Sequence, residues 1–153
     1  MESEKQITEH LVSLIKIDID ASHGYSQAID EVEDPDIQEQ LIRYQEDHER
    51  HIDDLSALLL DMGEEPPELT RDIKGYFIEG MTALRSRMGT EQALKAMEQN
   101  EKLTNKTYGD ARKWDVPQEV HEVIQRNFTD EQEHLKYIQE TLKKRTWEQK
   151  THV

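Results

Sequence analysis

Apolar residues recur at three- and four-residue steps along almost the whole chain, which is the period of one helix face and not of a strand. Ile7, Leu11 and Leu14 open a first helix, over about 4–32. Ile37, Leu41 and Tyr44, then Leu55, Leu58 and Met62, mark a second, over about 36–62. Leu94, Met97, Thr104, Tyr108 and Ala111 mark a third, over about 90–114. Val120, Ile124, Ile138 and Leu142 mark a fourth, over about 117–147. Gly63 suits a left-handed cap after the second helix. Asp34 before Pro35, and Asp115 two residues before Pro117, read as helix starts with proline in the first turn. From Glu64 to Gly89 the chain is too long for a tight turn and carries an amphipathic piece. It is expected to form a short crossover helix, about 70–88, packed on the bundle. The fold class is therefore all-α: one domain over 1–153, a four-helix bundle of two helix pairs joined by a long crossover.

The two pairs resemble each other. Shifting the first half against the second by 83 residues, without gaps, sets Leu11 on Leu94, Leu14 on Met97, Tyr25 on Tyr108 and Ala28 on Ala111. Further on, Ile37 meets Val120, Leu41 meets Ile124, Ile52 meets Leu135, Leu55 meets Ile138 and Leu59 meets Leu142. Mismatches such as Ile29 with Arg112 or Met62 with Arg145 lie mainly toward helix ends. Such a repeat implies a pseudo-twofold axis through the bundle.

Midway along each helix the apolar stripe is interrupted. It passes through Asp18 in the first helix, His48 and His51 in the second, Glu101 in the third, and Asn127, Glu131 and His134 in the fourth. The same shift pairs Asp18 with Glu101, His48 with Glu131 and His51 with His134. Burying such groups without partners costs several kcal/mol each, too much for a domain stable by only about 5–15 kcal/mol. Residues three apart share a helix face, so Glu131 and His134 can offer an oxygen and a nitrogen to one ion. One acid from each of two helices, with a paired motif from each of the other two, is the carboxylate-bridged two-metal arrangement. Oxygen and imidazole donors suit iron, manganese or zinc better than copper(I).

Taken singly, each histidine reads more readily as a hydrogen-bonded core residue than as a ligand. The mirrored set changes that balance. Tyr25 and Tyr108 are placed to hydrogen-bond the ligand carboxylates or simply to fill the core, and Asn127 to do likewise or to bond between helices. Glu46, Asp47 or Glu49 could lean in as a substitute carboxylate, but their register places them on the solvated face. His23 lies off the stripe, and His10, His121 and His152 read as exposed. Met81, Met88 and Met97 read as packing residues.

These residues resemble the ferritin-like superfamily of ferritins, rubrerythrins and other di-iron carboxylate proteins, and more narrowly small bacterial ferritin-like proteins of unassigned function. The segments that carry the likeness are LIKIDIDASHGYSQAI (14–29), DHERHIDDLSALL (47–59), DIKGYFIEGMTALRS (72–86), NEKLTNKTYGDA (100–111) and TDEQEHLKYIQETL (129–142). The resemblance implies metal ligation by Asp18, His48, His51, Glu101, Glu131 and His134. It implies iron, with two ions possible and zinc or manganese as alternatives. The departure is His48, where the superfamily usually has glutamate, together with the short Asp18. The set then holds three carboxylates and three imidazoles in place of four and two.

A net charge of −15 argues against nucleic acid or an anionic membrane as partner, since both call for a basic face. The absence of cysteine removes disulfides, thiolate metal sites and cysteine nucleophiles. MESEKQITEH has no apolar signal core, and no apolar stretch is long enough to span a bilayer, so the expected location is cytoplasmic. Two functions of different class follow. One is iron handling or redox chemistry with oxygen or peroxide at the core site, possible work for a di-iron oxidoreductase. The other is a non-catalytic bundle, stress-associated or partner-binding, with a structural zinc or a purely hydrogen-bonded polar layer. Cage-forming storage is disfavoured by the lack of a long fifth helix, and a homodimer is expected.

Overall fold

Ser3 and Asp34 set where the first two helices begin. Ser3 Oγ accepts the Gln6 amide (3.2 Å) while the Gln6 side chain returns to the Ser3 amide (2.9 Å), a reciprocal cap that satisfies two otherwise orphaned donors. Asp34 accepts the amides of Asp36 (2.9 Å) and Ile37 (3.2 Å), and Pro35 occupies the first helical position, where its missing amide costs nothing. The computed structural model describes residues 1–67 and 89–149. Within them α1 spans Glu4–Glu31, α2 Pro35–Asp61, α3 Gly89–Ala111, α4 Gln118–Lys144, and a single turn, α5, Thr146–Gln149. The crossover helix expected over 70–88, with Met81, Met88 and His152, lies outside the described residues. Among those described there is no strand, and no helix is long and apolar enough to cross a membrane.

The helix ends follow local chemistry, with three departures from the expected bounds. Gly63 takes φ +79, and the amides of Gly63 and Glu64 bond back to Leu60 and Leu59 (both 2.9 Å), closing α2 as a glycine cap does. The third helix stops at Ala111, not near 114. The amides of Lys113 and Trp114 reach carbonyls three residues back, the turn tightens, and Trp114 folds onto His10 with ring centroids 3.9 Å apart. Pro117 caps α4 instead of entering its first turn: its carbonyl accepts the amides of Val120 and His121 (both 3.0 Å). That helix ends at Lys144, not near 147, because Arg145 adopts φ 49 and its guanidinium bonds Glu91 (2.8 Å) and Glu148.

The helices pack as two pairs, α1 on α2 and α3 on α4. The pairs meet mainly through α1 and α3, and less through α2 and α4. Two apolar bodies fill the bundle. One gathers Leu11, Leu14, Leu55, Leu59, Tyr108 and Ile124. The other gathers Tyr25, Leu41, Leu94, Met97 and Ile138. Each fully buried leucine contributes about 1.5–3 kcal/mol. Residues paired by the 83-residue shift fall in opposite bodies: Leu11 and Leu94, Tyr25 and Tyr108, Leu41 and Ile124, Leu55 and Ile138. An axis that crosses the bundle and exchanges its ends does this. The polar layer lies between the two bodies.

Candidate metal centre

Asp18, His48, His51, Glu101, Glu131 and His134 are all fully buried in that layer, one or two from each long helix. The helical period brings them there: each continues the stripe that supplies leucine and isoleucine above and below. Asp18 Oδ1 lies 2.8 Å from His48 Nδ1 and 2.9 Å from His51 Nδ1. Glu131 Oε1 lies 3.3 Å from each of the same two nitrogens. On the other side of the layer, Glu101 Oε1 is 3.1 Å from His48 Nε2 and 3.6 Å from His134 Nδ1. Glu131 Oε2 is 3.7 Å from His134 Nδ1. Two four-residue groups result: Asp18, His48, His51 and Glu131, and His48, Glu101, Glu131 and His134. His48 and Glu131 belong to both, and each turns a different atom to each group.

These spacings can be set against coordination geometry. Bonds of about 2.0–2.2 Å separate neighbouring ligands by about 2.8–3.1 Å in an octahedron and about 3.3–3.6 Å in a tetrahedron. The donor separations of the first group, 2.8–3.3 Å, are of that size. Two buried polar atoms in the layer, Glu131 Oε1 and His134 Nδ1, have no hydrogen-bond partner, and both face the other donors.

The surrounding contacts repeat across the pseudo-twofold. Tyr25 donates to Glu101 Oε1 (2.7 Å), and its counterpart Tyr108 donates to Asp18 Oδ2. Asn127 reaches the site only through Tyr108, donating to its hydroxyl at 3.2 Å. His51 turns Nε2 to Asp130 on α4 (2.9 Å), and His134 turns Nε2 to Asp47 on α2 (2.8 Å). A carboxylate behind an imidazole fixes the ring and leaves the opposite nitrogen for the site. Asp47 is therefore half-buried and engaged with His134, not on the solvated face its register suggests. Glu46 and Glu49 are exposed as expected. Asp47 and Asp130 stand 83 apart, so extending the repeat beyond the core stripe finds them. Thr104, read in sequence as a stripe residue, donates toward Glu131 Oε2 (2.8 Å) and lies 3.0 Å from Glu101 Oε2. His23 stays out of the cluster, and His10 and His121 are partly buried instead of exposed.

Charge in the layer is balanced by protons on nitrogen. Burial disfavours a charged ring, but Glu131, Asp18 and Glu101 around His48 reverse this and raise its pKa to about 10. His51 is raised to about 10 against its burial, by Asp130, Asp18 and Glu131. His134 rises to about 11 through Asp47, Glu101 and Glu131. Burial pushes Asp18 and Glu101 upward, yet their histidine partners hold both below the usual carboxylate range. Glu131 is raised, chiefly by burial and by Glu101 beside it. Burial and the adjacent carboxylates also keep Tyr25 and Tyr108 protonated well above their ordinary value, as the donor roles of both hydroxyls require.

An all-helical bundle with a buried carboxylate–imidazole layer that could hold a metal ion is thus the class of molecule that fold and site define. The chain belongs to a domain family of unknown function, DUF2383, whose model matches residues 6–113. That match includes Asp18, His48, His51 and Glu101, and ends before α4 with Glu131 and His134. No curated protein and no solved structure matches the chain.

Proposed function

We propose that this is a ferritin-like metalloprotein, a cytoplasmic homodimer that handles iron or couples it to oxygen or peroxide in the bundle core. The observation that carries the reading is a matched set of six buried donors in which Glu131 Oε1 and His134 Nδ1 make no hydrogen bond. A buried carboxylate oxygen and imidazole nitrogen without hydrogen bonds are costly, and a cation between them offsets that cost. Asp18, His51 and Glu131 would hold one ion, Glu101, His134 and Glu131 a second, with His48 offering Nδ1 to the first or Nε2 to the other. Carboxylate and imidazole donors of this kind suit iron, manganese and zinc. Bound iron would supply one-electron chemistry toward oxygen or peroxide. The protein's own part is to exclude solvent with the two apolar bodies, to fix the carboxylates through Tyr25, Tyr108 and Thr104, and to orient His51 and His134 through Asp130 and Asp47.

A second reading has its own support. Three imidazoles raised to about 10 or 11 already offset the carboxylates, as a purely hydrogen-bonded layer requires; a structural zinc would take the place of those protons. Ferrous iron added anaerobically to metal-free protein, followed by air, separates the two. Saturable near-ultraviolet absorbance on aeration is the expected result. A silent spectrum, with zinc or nothing at one equivalent in metal analysis, favours the second reading, and light scattering reads out the dimer.

A further inference from the structure

Two carboxylates back two histidines from opposite sides of one seam. Asp47 on α2 accepts from His134 on α4, and Asp130 on α4 accepts from His51 on α2. A single side chain spans both. Arg50 Nη1 lies 3.2 Å from Asp47 Oδ1, and its Nη2 bonds Asp130 Oδ2. Asp47 thus uses one oxygen for the guanidinium and the other for His134. The position related to Arg50 by the 83-residue shift is Glu133, so this link has no counterpart across the pseudo-twofold. It crosses α2 and α4, which touch far less than α1 and α3 do.

We infer that Arg50 is the positioning residue for the centre: it holds Asp47 and Asp130 together, and through them aims the inner nitrogens of His134 and His51. The inference rests on the reading of the six buried residues as metal ligands. The chemistry is particular to arginine, whose planar fork reaches two carboxylates at once, where the lysine ammonium is a point donor on a flexible stem. Arg50 is about half exposed. Exposed ion pairs add little to stability, so its contribution lies in ring orientation and not in holding the bundle closed. Carboxylates behind ligand histidines commonly change metal affinity 10–100-fold when disturbed, and Arg50 disturbs two at once.

The test compares the wild-type chain with Arg50→Gln, Arg50→Lys and Arg126→Gln. Arg126 lines the same cleft of ≈ 300 Å³ as Arg50, Asn127, Thr129 and Asp130 but pairs with Asp54 (3.6 Å) and not with the carboxylates behind the histidines. Cobalt(II) is titrated into each protein and its visible bands recorded. Imidazole 15N signals of His51 and His134 are followed in the metal-free proteins, with thermal melts as the folding control. The expected result is about a tenfold loss of cobalt affinity and altered bands in both Arg50 variants, with R126Q like wild type. In metal-free R50Q the Nε2 signals of both rings shift together, while the melts stay close to wild type. An R50K that binds like wild type shows that charge alone suffices and overturns the spanning role. R50Q and R50K both binding like wild type, with unmoved ring signals, overturns Arg50 alone. Wild-type protein that takes up no cobalt, iron or zinc overturns the metal reading, and this inference with it.

Discussion

At position 131 the chain has glutamate where its counterpart, 48, has histidine, and the neighbours follow the exchange. Thr104 donates toward Glu131 Oε2 at 2.8 Å. Its counterpart across the repeat, Ala21, has no hydroxyl to offer His48. His48 instead hydrogen-bonds two carboxylates, Asp18 and Glu101, one at each nitrogen. The exchange lets the metal-free layer balance itself. Restoring the symmetric residue with His48→Glu would set four carboxylates against two imidazoles. Removing one partner of a buried charge pair costs about 3–5 kcal/mol, and the metal-free variant should lose stability of that order in chemical denaturation. Added divalent metal should recover much of the loss. Glu131→Gln should do the opposite: it removes the carboxylate common to both donor groups, so the stabilisation by metal, about 2.7 kcal/mol at a hundredfold excess over Kd, should vanish. Thermal melts with and without metal check both variants, and a Glu131→Gln protein still stabilised by metal contradicts the role given to that side chain.

The elements were largely legible from apolar periodicity, because each helix buries one continuous stripe and offers few breakers. Where the bounds moved, a short-range effect decided: tightened bonding at Lys113 and Trp114, Pro117 acting as a cap, and the left-handed Arg145. None of these changes the 3.6-residue pattern, so none shows in it. Caps also carry a measurable share of stability. Asp34 satisfies two amides at the start of α2, and Asp34→Ala should cost about 1 kcal/mol. Urea denaturation reads this as a shifted midpoint at constant slope. An unchanged midpoint would show that the turn after α1 is held by the Gln38 bonds to Ile29 (3.1 Å) and Val32 (2.6 Å) instead.

For the whole molecule, the six buried residues were visible because the repeat superimposes polar positions as well as apolar ones. Asp47 and Asp130 emerge only when the repeat is extended beyond the core stripe, and Arg50 has no counterpart to mark it, because partly exposed charges on a helix look alike in sequence. Only the contact across α2 and α4 singles Arg50 out. The layer also sets a pH response. His48, His51 and His134 have pKa values of about 10, 10 and 11 in the fold, against about 6.5 in an unfolded chain. A raised value means stabilisation that is complete below about 6.5 and is lost as pH rises through the folded values. Metal-free protein should therefore melt at progressively lower temperature as pH is raised from about 6.5 to 11. Metal must displace the same protons, so its affinity should rise with pH and its uptake should release protons. Calorimetry in two buffers of different ionisation enthalpy measures that release, and binding without proton release contradicts the protonated layer. The most direct measurement is anomalous scattering at the iron or manganese edge from crystals loaded with that ion. One or two peaks among Asp18, His48, His51, Glu101, Glu131 and His134, at about 2.0–2.6 Å from their donor atoms, are the expected result. Peaks only on the acidic surface, or none at all, would contradict a metal centre in the core.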